Sequence, residues 1–137
     1  MTTITMPATA VPVVERARRL LRFDSLLCLA SGVLLVAGAP VLTDLAGVEP
    51  LGPTVAAGVF LLVLGAGLAF LARAEERLVQ GLLPWSGEGD LLWAAGSVAL
   101  VVLVDLTGPG QGLVLAQAAA VAAIGVAKLA LAKQLRR

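Results

Sequence analysis

The 137-residue chain has no histidine, no tyrosine, one cysteine and five aromatic residues in all, three Phe and two Trp. Without histidine there is no imidazole to move protons near neutral pH or to join a metal cluster. The lone Cys28 excludes an intramolecular disulfide and a thiolate-rich metal site, and its apolar surroundings predict that it packs as a small hydrophobe. Charge is sparse as well: 14% of residues are Asp, Glu, Lys or Arg, where soluble domains have about a quarter. The net charge of +1 supplies no basic excess for nucleic acid. Neither a P-loop nor a strand-borne dinucleotide-binding glycine motif occurs. These absences lead us to expect no enzymatic activity, no cofactor and no metal. Carboxylate chemistry on a lipid is the one enzymatic route left, and no spacing singles out a pair of carboxylates.

What the chain has in abundance is apolar sequence: 59% of residues are hydrophobic and the mean hydropathy is +0.98. A soluble domain of this size keeps much of its surface in water and has nowhere to hide so many apolar side chains, so the solvent is a bilayer. Apolar runs at 26–42, 54–72, 91–104 and 112–127 imply four helices, since roughly 20 residues rising about 1.5 Å each cross a hydrocarbon core of about 30 Å. Extended by flanking residues, they predict spans at about 22–43, 53–74, 89–106 and 111–133. The fold expected is an all-α, up-down-up-down bundle of four transmembrane helices over 12–137, after a mobile tail at 1–11.

Between the runs, Thr43 to Pro53 and Gly108 to Gly110 read as tight hairpins rich in Gly and Pro. The longer stretch Leu78 to Gly89 contains LLPW and reads as a connection on the membrane surface, with Trp85 at the interface. The segment from Pro12, carrying Arg16, Arg18, Arg19 and Arg22, reads as a helix that continues into the first span. A basic start before an apolar run and VAGA imitates a secretory signal; the first run is expected to stay as an uncleaved anchor. With four spans all ten basic residues fall on one side, whereas the opposite loops carry Asp44, Glu49 and Asp105. The positive-inside rule then places both termini in the cytoplasm and the chain in the cell membrane.

The chain also repeats itself. At a shift of 61, VLTDLAG lies over VLVDLTG, matching Asp44 and Gly47 to Asp105 and Gly108. At a shift of 60, Gly52, Gly65 and Arg77 meet Gly112, Gly125 and Arg137, and at 66, Asp24 and Ser31 meet Asp90 and Ser97. A duplicated transmembrane hairpin follows, its halves related by an axis along the membrane normal. The changed shift leaves the third span short: Asp24 to Asp44 is 20 steps, about 30 Å of helix, and Asp90 to Asp105 is 15, about 22 Å. Membrane thinning, or burial of polar helix ends among neighbours, resolves the mismatch.

Two sets of residues are candidates for function. Gly58, Gly65, Ala69 and Ala72 on span two, and Ala116 with Ala120 or Ala119, Ala123 and Ala127 on span four, have the spacing at which helices approach closely. They serve either homodimerisation or, as the simpler reading, contacts inside one bundle. Asp24, Cys28, Ser31 and Leu35 share one helical face, as do Asp90, Ala94, Ser97 and Val101. Asp24, Ser31, Asp90, Ser97 and Lys128 therefore form a candidate polar cluster toward the basic side. For the aspartates the simpler expectation is solvation at the interface. For Lys128 it is snorkelling to the head groups, the alternative being a pair with Asp24 or Asp90.

RLLRFDSLLCLASGVLLV, GDLLWAAGSVALVV and GLVLAQAAAVAA resemble segments of small, uncharacterised four-span integral membrane proteins found widely in actinobacteria. The resemblance covers the four spans and implies architecture without an activity. Where such proteins often begin the third span with Asn, this chain has Asp90. The leading expectation is a non-enzymatic membrane protein acting through helix contacts, an accessory or assembly subunit, with the lipid bilayer and either a second copy or a larger membrane complex as its surroundings. The alternative is a small transporter or channel using the polar cluster between spans one, three and four.

Overall fold

The computed structural model describes residues 10–47 and 51–137. They form α1 (Ala10–Ala37), α2 (Ala39–Ala46), α3 (Leu51–Arg73), α4 (Glu76–Leu103) and α5 (Gly108–Leu135). No strand occurs among the described residues, and four of the helices are long and apolar enough to cross a membrane. The protein is an all-α four-helix bundle of membrane type. Of the tail expected to be mobile, 1–9 lie outside the described residues, and Ala10 and Val11 already belong to α1. Much of the first hairpin loop, 48–50, also lies outside them.

Span one is two helices rather than one. Pro40 has no N–H and its ring crowds the preceding turn, and the chain answers with a turn at Gly38 before α2 starts with Pro40 in its first turn. Gly38 carries the helical hydrogen bonding across the junction, donating to the Leu34 carbonyl at 2.8 Å and accepting from the Leu42 amide at 2.9 Å. At the far end Gly47 takes a left-handed conformation, φ 70°, and stops α2.

The surface connection expected at 78–89 is instead the first half of α4, which runs through Pro84. The turn out of α3 is only Ala74 and Glu75. Pro84 removes one amide from the helix, but burial outweighs it: Val79, Leu83, Gly87, Asp90 and Ala94 form one continuous buried face across the proline. Their spacing of four, four, three and four is a helical stripe that runs unbroken through LLPW. The third span is therefore not short. It ends at Leu103, and the chain then leaves the helix, with Val104 extended at φ −117°, ψ 133° and Thr107 at φ −61°, ψ 159°.

α1 pairs with α3, and α4 with α5, through facing glycines. A Cβ added at Gly32 would stand 2.8 Å from the Gly58 carbonyl oxygen, and one at Gly58 3.0 Å from that of Gly32. Gly87 and Gly125 repeat the relation between α4 and α5, at 3.0 and 2.9 Å. Such distances leave no room for a methyl group and bring backbones into direct contact. Gly65, likewise buried, meets Leu29, and its carbonyl accepts from the Ser25 hydroxyl at 2.8 Å.

The two hairpins meet at both ends. At the end holding the basic residues, Ala17, Leu21, Leu68, Leu71, Ala72, Val79, Leu83 and Ala132 make a buried apolar cluster drawn from all four long helices. Arg18 reaches across to the carbonyls of Ala72 and Ala74, each at 2.9 Å, capping the end of α3. Arg16 bonds Gln134 at 3.1 Å, so the start of α1 lies beside the end of α5. At the hairpin end, the Thr107 amide donates to the Ala46 carbonyl at 3.1 Å and its hydroxyl to that of Leu45. The two matching tetrapeptides, DLAG and DLTG, are thus joined to one another. Between these ends Phe60 of α3 stacks on Trp93 of α4, ring centroids 5.8 Å apart.

Candidate functional site

Lys128 projects from α5 toward α1 and α4. Gly125, one turn earlier, lets α5 lie against Gly87 and the Cβ of Asp90. Leu129 and Lys128 itself flank the Gly87 contact, so the lysine stem runs along α4 and its ammonium ends in the bundle interior, completely buried.

The ammonium has three hydrogens and finds three acceptors. It donates to Asp24 Oδ2 on α1, to Asp90 Oδ2 on α4 at 2.6 Å, and to Ser86 Oγ, one turn before Asp90, at 2.7 Å. Both aspartates are buried, at 2% and 7% exposure. Desolvating such ions takes several kcal/mol each, and their attraction offsets this only with close geometry and further hydrogen bonds. The Ser86 hydroxyl supplies one such bond, and the Cys28 thiol, 3.7 Å from Asp24 Oδ1, supplies a weak one. Cys28 is half-buried and touches the ionic cluster as well as apolar neighbours.

The structure therefore brings together Asp24, Asp90 and Lys128 and leaves out the other two members of the expected cluster. Ser31 is half-buried on α1, with no hydrogen bond to the cluster. Ser97 donates to the Trp93 carbonyl at 2.9 Å and lies 3.4 Å from Gln117 Oε1, a separate polar contact between α4 and α5. Snorkelling of Lys128 and solvation of the aspartates are both overturned, because all three side chains are buried and the ammonium bonds both carboxylates. Ser86 escaped the sequence reading because Pro84 made its segment look like a loop. Once α4 is continuous, the four-residue spacing from Ser86 to Asp90 puts both on one face.

The glycines and alanines also divide. Gly58 and Gly65 are buried at the α1–α3 contact, Ala69 is half-buried, and Ala119 and Ala123 are exposed. On α5 the inward small residues are Gly110, Ala118, Gly125 and Ala132, so the expected stripe at Ala119 and Ala123 points outward. Ala119, unlike Ala123, lines a shallow apolar groove of about 370 Å³ between α4 and α5, together with Leu91, Ala94, Val98, Ala118 and Ala122 among others. The two helices touch at Gly87 and Gly125.

Among the described residues no group of His, Cys, Asp and Glu is arranged to hold a metal ion. One buried donor, the Trp93 indole N–H, has no acceptor among them. Comparison of the chain with protein-family models, curated proteins and solved structures finds no match.

Proposed function

We propose that the chain is a non-catalytic integral membrane protein that acts through helix contacts, as an accessory or assembly subunit. The observation that carries this reading is how its chemistry is spent. The buried charges bond one another across the two hairpins, and what the molecule offers outward is apolar: Phe70, Leu92 and Val102 are each about three-quarters exposed. The alanine-floored groove between α4 and α5 has the form that admits a further helix closely. Its occupant is a second copy or a subunit of a larger membrane complex.

In this reading both termini are cytoplasmic and the chain sits in the cell membrane, following its basic residues. The chain is also read as a duplicated hairpin. Gly65 and Gly125, 60 residues apart, each seat their helix against the preceding one; Asp24 and Asp90, 66 apart, meet at one ammonium. Lys128 breaks the likeness, since position 68 in the first half holds a buried Leu.

The test is extraction in mild detergent followed by native mass spectrometry, with cross-linking of Ala119→Cys in a Cys28→Ser background. A discrete complex joined through position 119 is expected. A lone monomer with no bound protein or lipid, and no cross-link in the membrane, contradicts it. A small transporter or channel is the second reading, favoured by the meeting of Asp24, Asp90 and Lys128 from three helices. It requires ion or solute flux across proteoliposomes that Asp90→Asn abolishes; vesicles that stay tight with the native chain exclude it.

A further inference from the structure

The ionic cluster does not balance. Two carboxylates face one ammonium, which leaves one negative charge inside a bundle whose surroundings are apolar. An unpaired buried charge is the most expensive group a protein interior can hold.

Among the described residues nothing nearby supplies the missing positive charge. From α1 the groups facing the cluster are Asp24 and Cys28, from α4 Asp90 and the neutral Ser86, and from α5 Lys128. The only charged residue of α3 is Arg73 at its end, and it is exposed. Arg22, Glu88 and Lys133, the next charges along α1, α4 and α5, are exposed too. The ammonium has no hydrogen to spare, since its three bonds go to Asp24 Oδ2, Asp90 Oδ2 and Ser86 Oγ. The second carboxylate oxygens are poorly used: Asp24 Oδ1 has only the thiol at 3.7 Å, and Asp90 Oδ1 has no donor among the described residues.

We propose that Asp24 and Asp90 together hold one exchangeable proton beside Lys128, so that the cluster is a proton-binding site shared by both hairpins. Uptake forms one O–H bond on the free oxygen of either aspartate, draws the proton from water, and takes the cluster from one negative charge to none. Asp90 is the point of entry, because its side chain keeps 9% exposure where that of Asp24 keeps 2%. The site goes beyond the assembly reading and does not depend on it, since the charge balance is the same whether or not a partner sits in the groove.

Infrared spectroscopy of the full chain in liposomes, with carbon-13-labelled aspartate, tests this directly. The native protein is expected to show the C=O stretch of one protonated aspartic acid per chain, which disappears reversibly as pH is raised. Asp24→Asn and Asp90→Asn should each remove it, because either leaves one carboxylate for one ammonium, and Lys128→Met should increase it about twofold. The amide bands of the same spectra report whether each variant is folded, and the native titration decides the matter even if a variant is not. Absence of the band in the folded native chain at every pH overturns the proposal. So does a band that survives both Asn variants.

Discussion

Gly87 and Gly125 face each other across α4 and α5 so closely that a Cβ on either would lie about 3 Å from the carbonyl oxygen of the other, at 3.0 and 2.9 Å. The obstacle in both directions is backbone, which cannot swing aside as a side chain does. Lys128 follows Gly125 by three residues, so the same approach that the glycines permit delivers the ammonium to Asp90.

Gly125→Ala is therefore expected to force the helices apart and to destabilise the bundle by about 1–3 kcal/mol, the usual range for overpacking. Equilibrium unfolding in mixed detergent micelles measures it. Gly96→Ala, where a Cβ meets nothing within 4 Å, is the control and should leave stability unchanged or slightly raised.

Lys128→Met leaves two buried carboxylates without their counter-ion. Removing one partner of a buried ion pair typically costs about 3–5 kcal/mol, whereas replacing all the charged members is often neutral. The single variant should unfold far more readily than the native chain, and the triple variant Lys128→Met, Asp24→Asn, Asp90→Asn should recover most of the loss. Failure of the triple variant to recover would show that the lysine stem, rather than the charge, is what matters.

Thr107 joins the hairpin tips and also caps α5, its hydroxyl accepting from the Gly110 amide at 3.2 Å. Thr107→Val removes both side-chain roles and keeps the shape. A loss of about 1 kcal/mol is expected, with faster hydrogen exchange at Gly110, and Thr107→Ser should restore both.

The assigned orientation is checked by labelling with a membrane-impermeant maleimide in a Cys28→Ser background. Asp105→Cys should react in intact cells and Gln134→Cys only after the membrane is opened, both positions being exposed in the fold. The reverse pattern would invert the topology.

The architecture was legible in the sequence because a bilayer imposes it: four apolar runs of nearly sufficient length admit few arrangements. The placement of α4 was not, since Pro84 and the charged residues around it imitate a loop. The stripe of Val79, Leu83, Gly87, Asp90 and Ala94 that overrides them becomes visible only when the helical period is followed through the proline. The same misreading hid Ser86. Asp24, Asp90 and Lys128 were recognisable as candidates by type and depth. That they meet depends on which face of α5 turns inward, and an alanine-rich helix with apolar residues all round does not announce its inner face. For that reason Ala119 and Ala123 looked as suitable for contacts within the bundle as Ala118 and Gly125 do.

Joining of the two hairpins by a buried Lys128 ammonium is the claim on which the rest depends. Solid-state NMR in lipid bilayers measures it, through dipolar couplings between nitrogen-15 at lysine Nζ and carbon-13 at aspartate Cγ. The chain has only two lysines, Lys128 and Lys133, so a Lys133→Arg variant assigns the signal. Strong couplings are expected from Lys128 Nζ to two carboxylates, one lost in Asp24→Asn and the other in Asp90→Asn. An Nζ with no aspartate in range and in fast exchange with water, as a snorkelling side chain would show, contradicts it.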